Sequence, residues 1–178
     1  MIKITDNALD LKYFDLISST VKSTFFPWYY KTESTQKGEN LAETAESYYG
    51  YQFTHMLYFN QIPMSEHFEN LMIPVLEVLN CFSLVRMSVN FMPPMSENKL
   101  QGFHTDSPTL CKSAVLYLNT NNGKTVFENG DEIESVANRL IVFDSNLRHS
   151  GMTTTDLCGR YVLNVLFFQG DNGAKLGV

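Results

Sequence analysis

Between residues 81 and 168 the chain is a succession of short apolar runs in two-residue alternation, and this limits its fold more than any other feature. "CFSLVRMSVNFM" (81–92), "KSAVLYLN" (112–119), "KTVFE" (124–128), "RLIVFD" (139–144) and "RYVLNVLFF" (160–168) are rich in β-branched and aromatic residues. Such side chains suit a pleated, half-buried surface. "NTNNG" (119–123) and Asn129-Gly130 supply the residues that tolerate positive φ in hairpins. Upstream, "YQFTHMLYF" (51–59) reads as a further strand. "FFPWYY" (25–30), with Pro27, suits a sheet edge.

Two helices are predicted before this strand region. Over 9–24, Leu9, Tyr13, Leu16, Ile17, Thr20 and Val21 share a face, with Thr5, Asp6 or Asn7 as the cap. Over 65–80, Phe68, Leu71, Met72, Val75, Leu76 and Leu79 do the same, with Ser65 as the cap. Pro74 is expected to kink or split that helix. Residues 31–50 are polar and weakly patterned, as in a long loop. Two helices and about eight strands give an α+β class. The β part is expected to be a sandwich or jelly roll with the N-terminal and central helices packed on one face.

A length of 178 residues suits a single domain spanning 1–178. The formal net charge of −6 argues against a non-specific grip on nucleic acid or anionic membrane, though it permits a small basic pocket. Three cysteines without a C-x-x-C pair fit a reduced, cytoplasmic protein. No run approaches the ~20 apolar residues of a membrane span.

The chemistry begins in "GFHTDSPTL" (102–110). On an extended segment His104 and Asp106 face the same side and can reach one metal ion, although a lone H-x-D is also an ordinary polar turn. His149, in "SNLRHSG", supplies a third donor if a jelly roll brings it back beside the pair. Two His and one carboxylate make the facial triad of non-haem Fe(II) oxygenases, which leaves positions open. The H-E-x-x-H of thermolysin-like zinc hydrolases is absent from the sequence. Arg160, in the apolar run "GRYVLNVLFF", is either a surface charge or a buried cation awaiting an anion.

The order H-x-D, His, then Arg resembles the Fe(II)/2-oxoglutarate-dependent oxygenases, and most of all their prolyl-4-hydroxylase-type group, short phage-encoded members included. "AVLYLN" (114–119), "NGKTVFE" (122–128) and "ANRLIVFDSNLRHSG" (137–151) resemble successive stretches of that group. "VNFMPP" (89–94) resembles the strand before H-x-D in the nucleic-acid dealkylase branch, with Phe91 and Met92 departing from its pattern. The likeness covers roughly 84–169. It implies a double-stranded β-helix core in which His104, Asp106 and His149 hold Fe(II). It also implies that Arg160, Tyr117 and Asn90 contact 2-oxoglutarate, the Tyr117 hydroxyl helping to hold the distal carboxylate. The implied reaction uses O2 to hydroxylate a C–H of a peptidyl (prolyl-like) or small-molecule substrate, releasing succinate and CO2. The competing readings are a cupin-type metal enzyme that does not use 2-oxoglutarate, and a jelly-roll binding module.

The remaining candidates read as follows. His55 alternates with aromatics and is structural or on the substrate side; His67 is solvated in the first turn of its helix. Cys81 belongs to the core, and Cys111 and Cys158 lie near the ligands in sequence without being needed as donors. Asn164, at even spacing from Arg160, faces the same side, and Met152 lines the pocket. Asp144 begins a turn. Substrate choice is expected to reside in the loops 31–50 and 93–101.

Overall fold

Two faces of one large sheet are apolar, and each is covered by a different layer. The structure, a computed structural model, describes residues 1–32 and 50–170. Its elements are β1 (Lys3–Thr5), α1 (Leu11–Val21), β2 (Tyr29–Lys31), β3 (Gln52–Phe59), β4 (Ile62–Pro63), α2 (His67–Val78), β5 (Cys81–Met92), β6 (Lys112–Tyr117), β7 (Lys124–Phe127), β8 (Glu132–Glu134), β9 (Leu140–Asp144), β10 (His149–Gly151) and β11 (Arg160–Gln169). The large sheet runs β1-β9-β6-β11-β5-β3-β2, with β4 on β3; the small sheet runs β10-β7-β8. All pairings are antiparallel. This is the expected α+β arrangement with a jelly-roll core.

Period-2 alternation decides which layer each side chain meets. On β6, Ala114 and Leu116 join the helix-side core, while Val115 and Tyr117 join the core between the sheets. On β9, Leu140 faces the helices, and Ile141 and Phe143 face the small sheet. On β11, Leu163, Val165 and Phe167 face the helices and Val162 the small sheet. The helices pack on one face, and the main cavity opens on the other, lined by Val115 and Val162 of the core between the sheets.

The second helix buries the residues its periodicity selects: Leu71, Met72, Val75 and Leu79, with Phe68 and Leu76 packed alongside. It continues past Pro74 as one helix, so the expected split does not occur. The cap residue is Glu66 rather than the expected Ser65, whose Oγ still accepts from the His67 N–H just ahead of the helix. The first helix is shorter than expected and turned. Its buried stripe is Phe14, Ile17, Ser18 and Val21, while Tyr13 and Leu16 are 46% and 47% exposed. The Ser18 hydroxyl donates to the Leu118 carbonyl, which draws that face onto the sheet. The cap is Asp10, whose carboxylate accepts from the Lys12 N–H, rather than Thr5, Asp6 or Asn7. Thr5 is occupied by pairing with Leu140, and Asp6 by Arg139.

Of "FFPWYY" (25–30) only Tyr29 and Tyr30 enter the edge strand β2; Phe25 to Trp28 precede it. Residues 33–49, most of the predicted 31–50 loop, lie outside the described residues. Strands β1, β4, β8 and β10, of two or three residues each, were not predicted. Runs so short carry no periodicity and exist because a neighbour pairs with them. Among the described residues no helix is long and apolar enough to cross a membrane.

Candidate metal and cosubstrate site

His104 and His149 are held opposite one another by two reciprocal backbone hydrogen bonds, each 2.9 Å. Their rings stand 4.5 Å apart, centroid to centroid. The H-x-D segment is therefore not a strand of either sheet, as the same-side argument assumed. It is an extended segment bridged to β10 at His104 and anchored two residues on, where the Asp106 N–H donates to the Ser145 carbonyl. The consequence is the same. His104, Asp106 and His149 each present one ligand atom, and these lie within 4.8 Å of one another.

The hydrogen bonds behind the rings decide which nitrogens are available. His149 Nδ1 lies 2.9 Å from the Leu147 carbonyl and His104 Nδ1 3.3 Å from that of Gly102. A carbonyl only accepts, so each Nδ1 carries the hydrogen and each Nε2 keeps its lone pair. Those Nε2 atoms face Asp106, at 3.9 Å from His104 to Oδ1 and 3.7 Å from His149 to Oδ2. Ser113 donates to Asp106 Oδ2 at 2.6 Å, and Arg86 reaches Oδ1 at 3.4 Å. Burial, reinforced by the neighbouring His149, pushes the His104 imidazole down to about 4, which keeps it neutral, with its Nε2 lone pair free for a metal. His149 is 6% exposed and packs edge-on to Phe143 at 4.7 Å. Two imidazoles and one carboxylate at this spacing fit Fe(II) in a facial triad.

Arg160 lies deeper in the same cavity, whose volume is about 600 Å³. The residue is only 3% exposed. Nε donates to Ser135 Oγ and Nη2 to Thr125 Oγ1, both at 3.0 Å. No carboxylate among the described residues pairs with it. A buried cation without its anion is costly, and an incoming carboxylate could offset that cost. Glycine is needed at 123: a Cβ there would stand 2.9 Å from Arg160 Cδ.

Tyr117 is fully buried and stands behind the cavity wall rather than in it. Its hydroxyl donates to Thr125 Oγ1 at 2.7 Å, and its ring lies 5.5 Å from the Arg160 guanidinium. In this structure the Tyr117 hydroxyl therefore supports Thr125, which lines the cavity. Having accepted from Tyr117 and Arg160, the Thr125 hydroxyl can give its own hydrogen to the cavity. Asn90 lines the cavity. Its Oδ1 accepts from the Thr54 hydroxyl at 2.7 Å, which turns the amide so that its NH2 is the donating end.

Asn164 lines the cavity as its spacing implied, whereas Met152 does not; Met152 is held in a bridge to Leu100. Asp144 pairs with Lys112 at 2.6 Å, away from the triad. Cys111 is buried beside Ser145, and Cys158 is exposed. Sequence reasoning overlooked Arg86, Ser113 and Ser135, and it quoted Thr125 only within a hairpin. Each acts across strands, so no local pattern marks it.

His55 is structural. Nδ1 donates to the Pro27 carbonyl, Nε2 accepts from Ser65 Oγ, and the ring lies against Phe26. Burial is the main cause that lowers its pKa. A depressed histidine contributes stability that is complete above its unfolded value of about 6.5 and is lost as pH falls. Thermal unfolding from about pH 7.5 to about pH 5.5 is therefore expected to lose less stability in His55→Gln than in the wild type. Equal slopes would remove His55 as a source of acid sensitivity.

No family model and no curated protein matches the sequence. Solved structures do match. A 2OG-Fe(II) oxygenase family oxidoreductase from Burkholderia pseudomallei aligns over 98% of this chain and 88% of its own, at 15% identity and a TM-score of 0.64. A Pseudomonas putida prolyl-4-hydroxylase aligns over 95% and 92%, at 15% identity and 0.56. A Trichoplax adhaerens prolyl hydroxylase, solved with a hypoxia inducible factor peptide fragment, aligns over 94% and 83%, at 16% identity and 0.57. The chain has the prolyl-4-hydroxylase-like, double-stranded β-helix fold of the Fe(II)/2-oxoglutarate oxygenases.

Proposed function

We propose that the protein is an Fe(II)- and 2-oxoglutarate-dependent dioxygenase that hydroxylates a C–H bond of a peptidyl, prolyl-like residue or a small molecule. The observation that carries this reading is the pairing, in one cavity, of a convergent His-Asp-His donor set with a buried arginine that has no carboxylate partner among the described residues. His104 Nε2, Asp106 and His149 Nε2 would hold the metal. Arg160, with Thr125 beside it, would receive the distal carboxylate of 2-oxoglutarate, and the Asn90 amide would donate to the same molecule. Fe(II), with 2-oxoglutarate and O2, supplies the oxidising power that side chains lack. The protein's own part is to orient the ligands, fix the imidazole tautomers and enclose the site. A peptide substrate is supported by the peptide complex of the Trichoplax adhaerens neighbour.

The test is succinate formation by purified protein supplied with Fe(II), ascorbate and 2-oxoglutarate, alongside the thermal shift produced by Mn(II) plus 2-oxoglutarate. Slow, metal-dependent succinate release and a joint stabilisation are expected. Protein that responds to neither would overturn the reading.

A further inference from the structure

The cavity wall is basic in an acidic protein. Among the described residues it carries Lys31, Arg86, Arg148 and Arg160, against Asp106 as its one carboxylate. The chain as a whole bears −6, so this excess is local. On the reading proposed above, a divalent ion and the cosubstrate dianion cancel one another, and Arg160 is taken by the cosubstrate. The positive excess is then left for whatever else binds. Clefts lined by one sign of charge concentrate ligands of the other.

Arg86 is the cation placed to use it. Arg148 is engaged by Glu128 at 2.9 Å. Among the described residues Arg86 has one long polar contact, Nη2 to Asp106 Oδ1 at 3.4 Å, on a carboxylate already bonded by Ser113. The strand register places it. Met92 pairs with Arg160, and Arg86 pairs with Leu166 further along the same ladder, just before its register shift. The run from Arg86 to Met92 separates the two backbones by roughly 20 Å. Arg86 touches the triad through Asp106, and Ser113, the other group on that carboxylate, pairs with Leu166 across the next ladder. The cavity thus has Arg160 at one end and, at the other, the triad with Arg86 against it. A cosubstrate stretched from the triad to Arg160 leaves Arg86 facing the substrate.

We infer that the substrate carries a carboxylate, or a phosphate of the same oxyanion chemistry, and that Arg86 is its specificity-determining anchor. This rests on the oxygenase reading above. A planar guanidinium engages such a group through two parallel N–H donors, beside the metal ligands and so beside the reacting carbon. The carboxylate comes either from a free small acid or from an acidic residue next to the target in a peptide.

The test is thermal shift and calorimetry on intact protein holding Mn(II) and saturating 2-oxoglutarate. The probes are N-acetyl amino acids against their primary amides, acetyl-Asp-Pro-amide against acetyl-Asn-Pro-amide, and O-phospho-L-serine. Binding is expected only for probes with a free oxyanion, and the probe that binds identifies its source. Arg86→Gln is expected to weaken that binding at least about tenfold, with Arg86→Lys intermediate, each variant being measured at Mn(II) and 2-oxoglutarate concentrations that saturate it. Amides that bind as well as acids, or no binding by any acid, would overturn the inference. So would an Arg86→Gln protein that loses the Mn(II) shift, since Arg86 would then serve to position Asp106. Wild-type protein that shows no Mn(II) plus 2-oxoglutarate shift overturns the oxygenase reading itself, and this inference with it.

Discussion

Replacing His149 by alanine is expected to abolish Fe(II) binding and 2-oxoglutarate-dependent succinate formation. His149 supplies one of only three donor atoms in the cluster. Loss of an outer partner of a metal ligand already costs about 10- to 100-fold, so loss of the ligand itself is expected to cost more. The substitution also empties space beside Phe143 and Phe127, so some stability falls with it. His149→Gln keeps most of the volume and separates the two effects: it should fold and still fail to bind metal. His104→Ala and Asp106→Ala are expected to behave alike, measured by Mn(II) thermal shift and succinate release. Wild-type turnover in all three variants would sink the triad.

Arg160→Met is expected to have effects of opposite sign on the empty and the loaded protein. Burial disfavours the charged guanidinium, and no carboxylate among the described residues offsets it. Exchanging a buried ion for an apolar side chain of similar volume is often neutral or stabilising. The melting temperature of Arg160→Met without ligands should therefore equal or exceed that of the wild type. The 2-oxoglutarate-induced stabilisation should vanish, and KM for 2-oxoglutarate should rise steeply. Truncating one partner of a buried, hydrogen-bonded charge pair costs about 2–5 kcal/mol, which is roughly 30-fold or more in affinity. A melting temperature that falls while 2-oxoglutarate binding survives would make Arg160 a structural cation. Unchanged activity would favour a cupin-type enzyme that uses no 2-oxoglutarate.

Legibility in the sequence followed the range of the interaction. Strands β5, β6 and β11 were visible because each is long enough to alternate between two apolar layers. The buried stripe of α2 was visible because six apolar residues repeat at helical spacing. The stripe of α1 was misplaced because Tyr13 and Leu16 are as apolar as Phe14. Only the bond from Ser18 to Leu118 shows which face meets the sheet. Strand β10 is three residues long, and its pairing with β7 and bridge to His104 are what make it extended.

For the site, the sequence by itself determined which residue types were available and in what order: His104 and Asp106 at i and i+2, then His149, then Arg160 with Asn164 on one strand face. Side-chain chemistry and strand period are local properties, and a sequence carries them directly. The tertiary structure alone decided that His104 and His149 stand opposite each other, that Tyr117 supports Thr125 instead of facing the cavity, and that Arg86 stands against Asp106 at the end away from Arg160. Each of these depends on the register between strands distant in the chain. Register is set by the packing of the whole sheet against its two covering layers, and no short stretch of residues contains it.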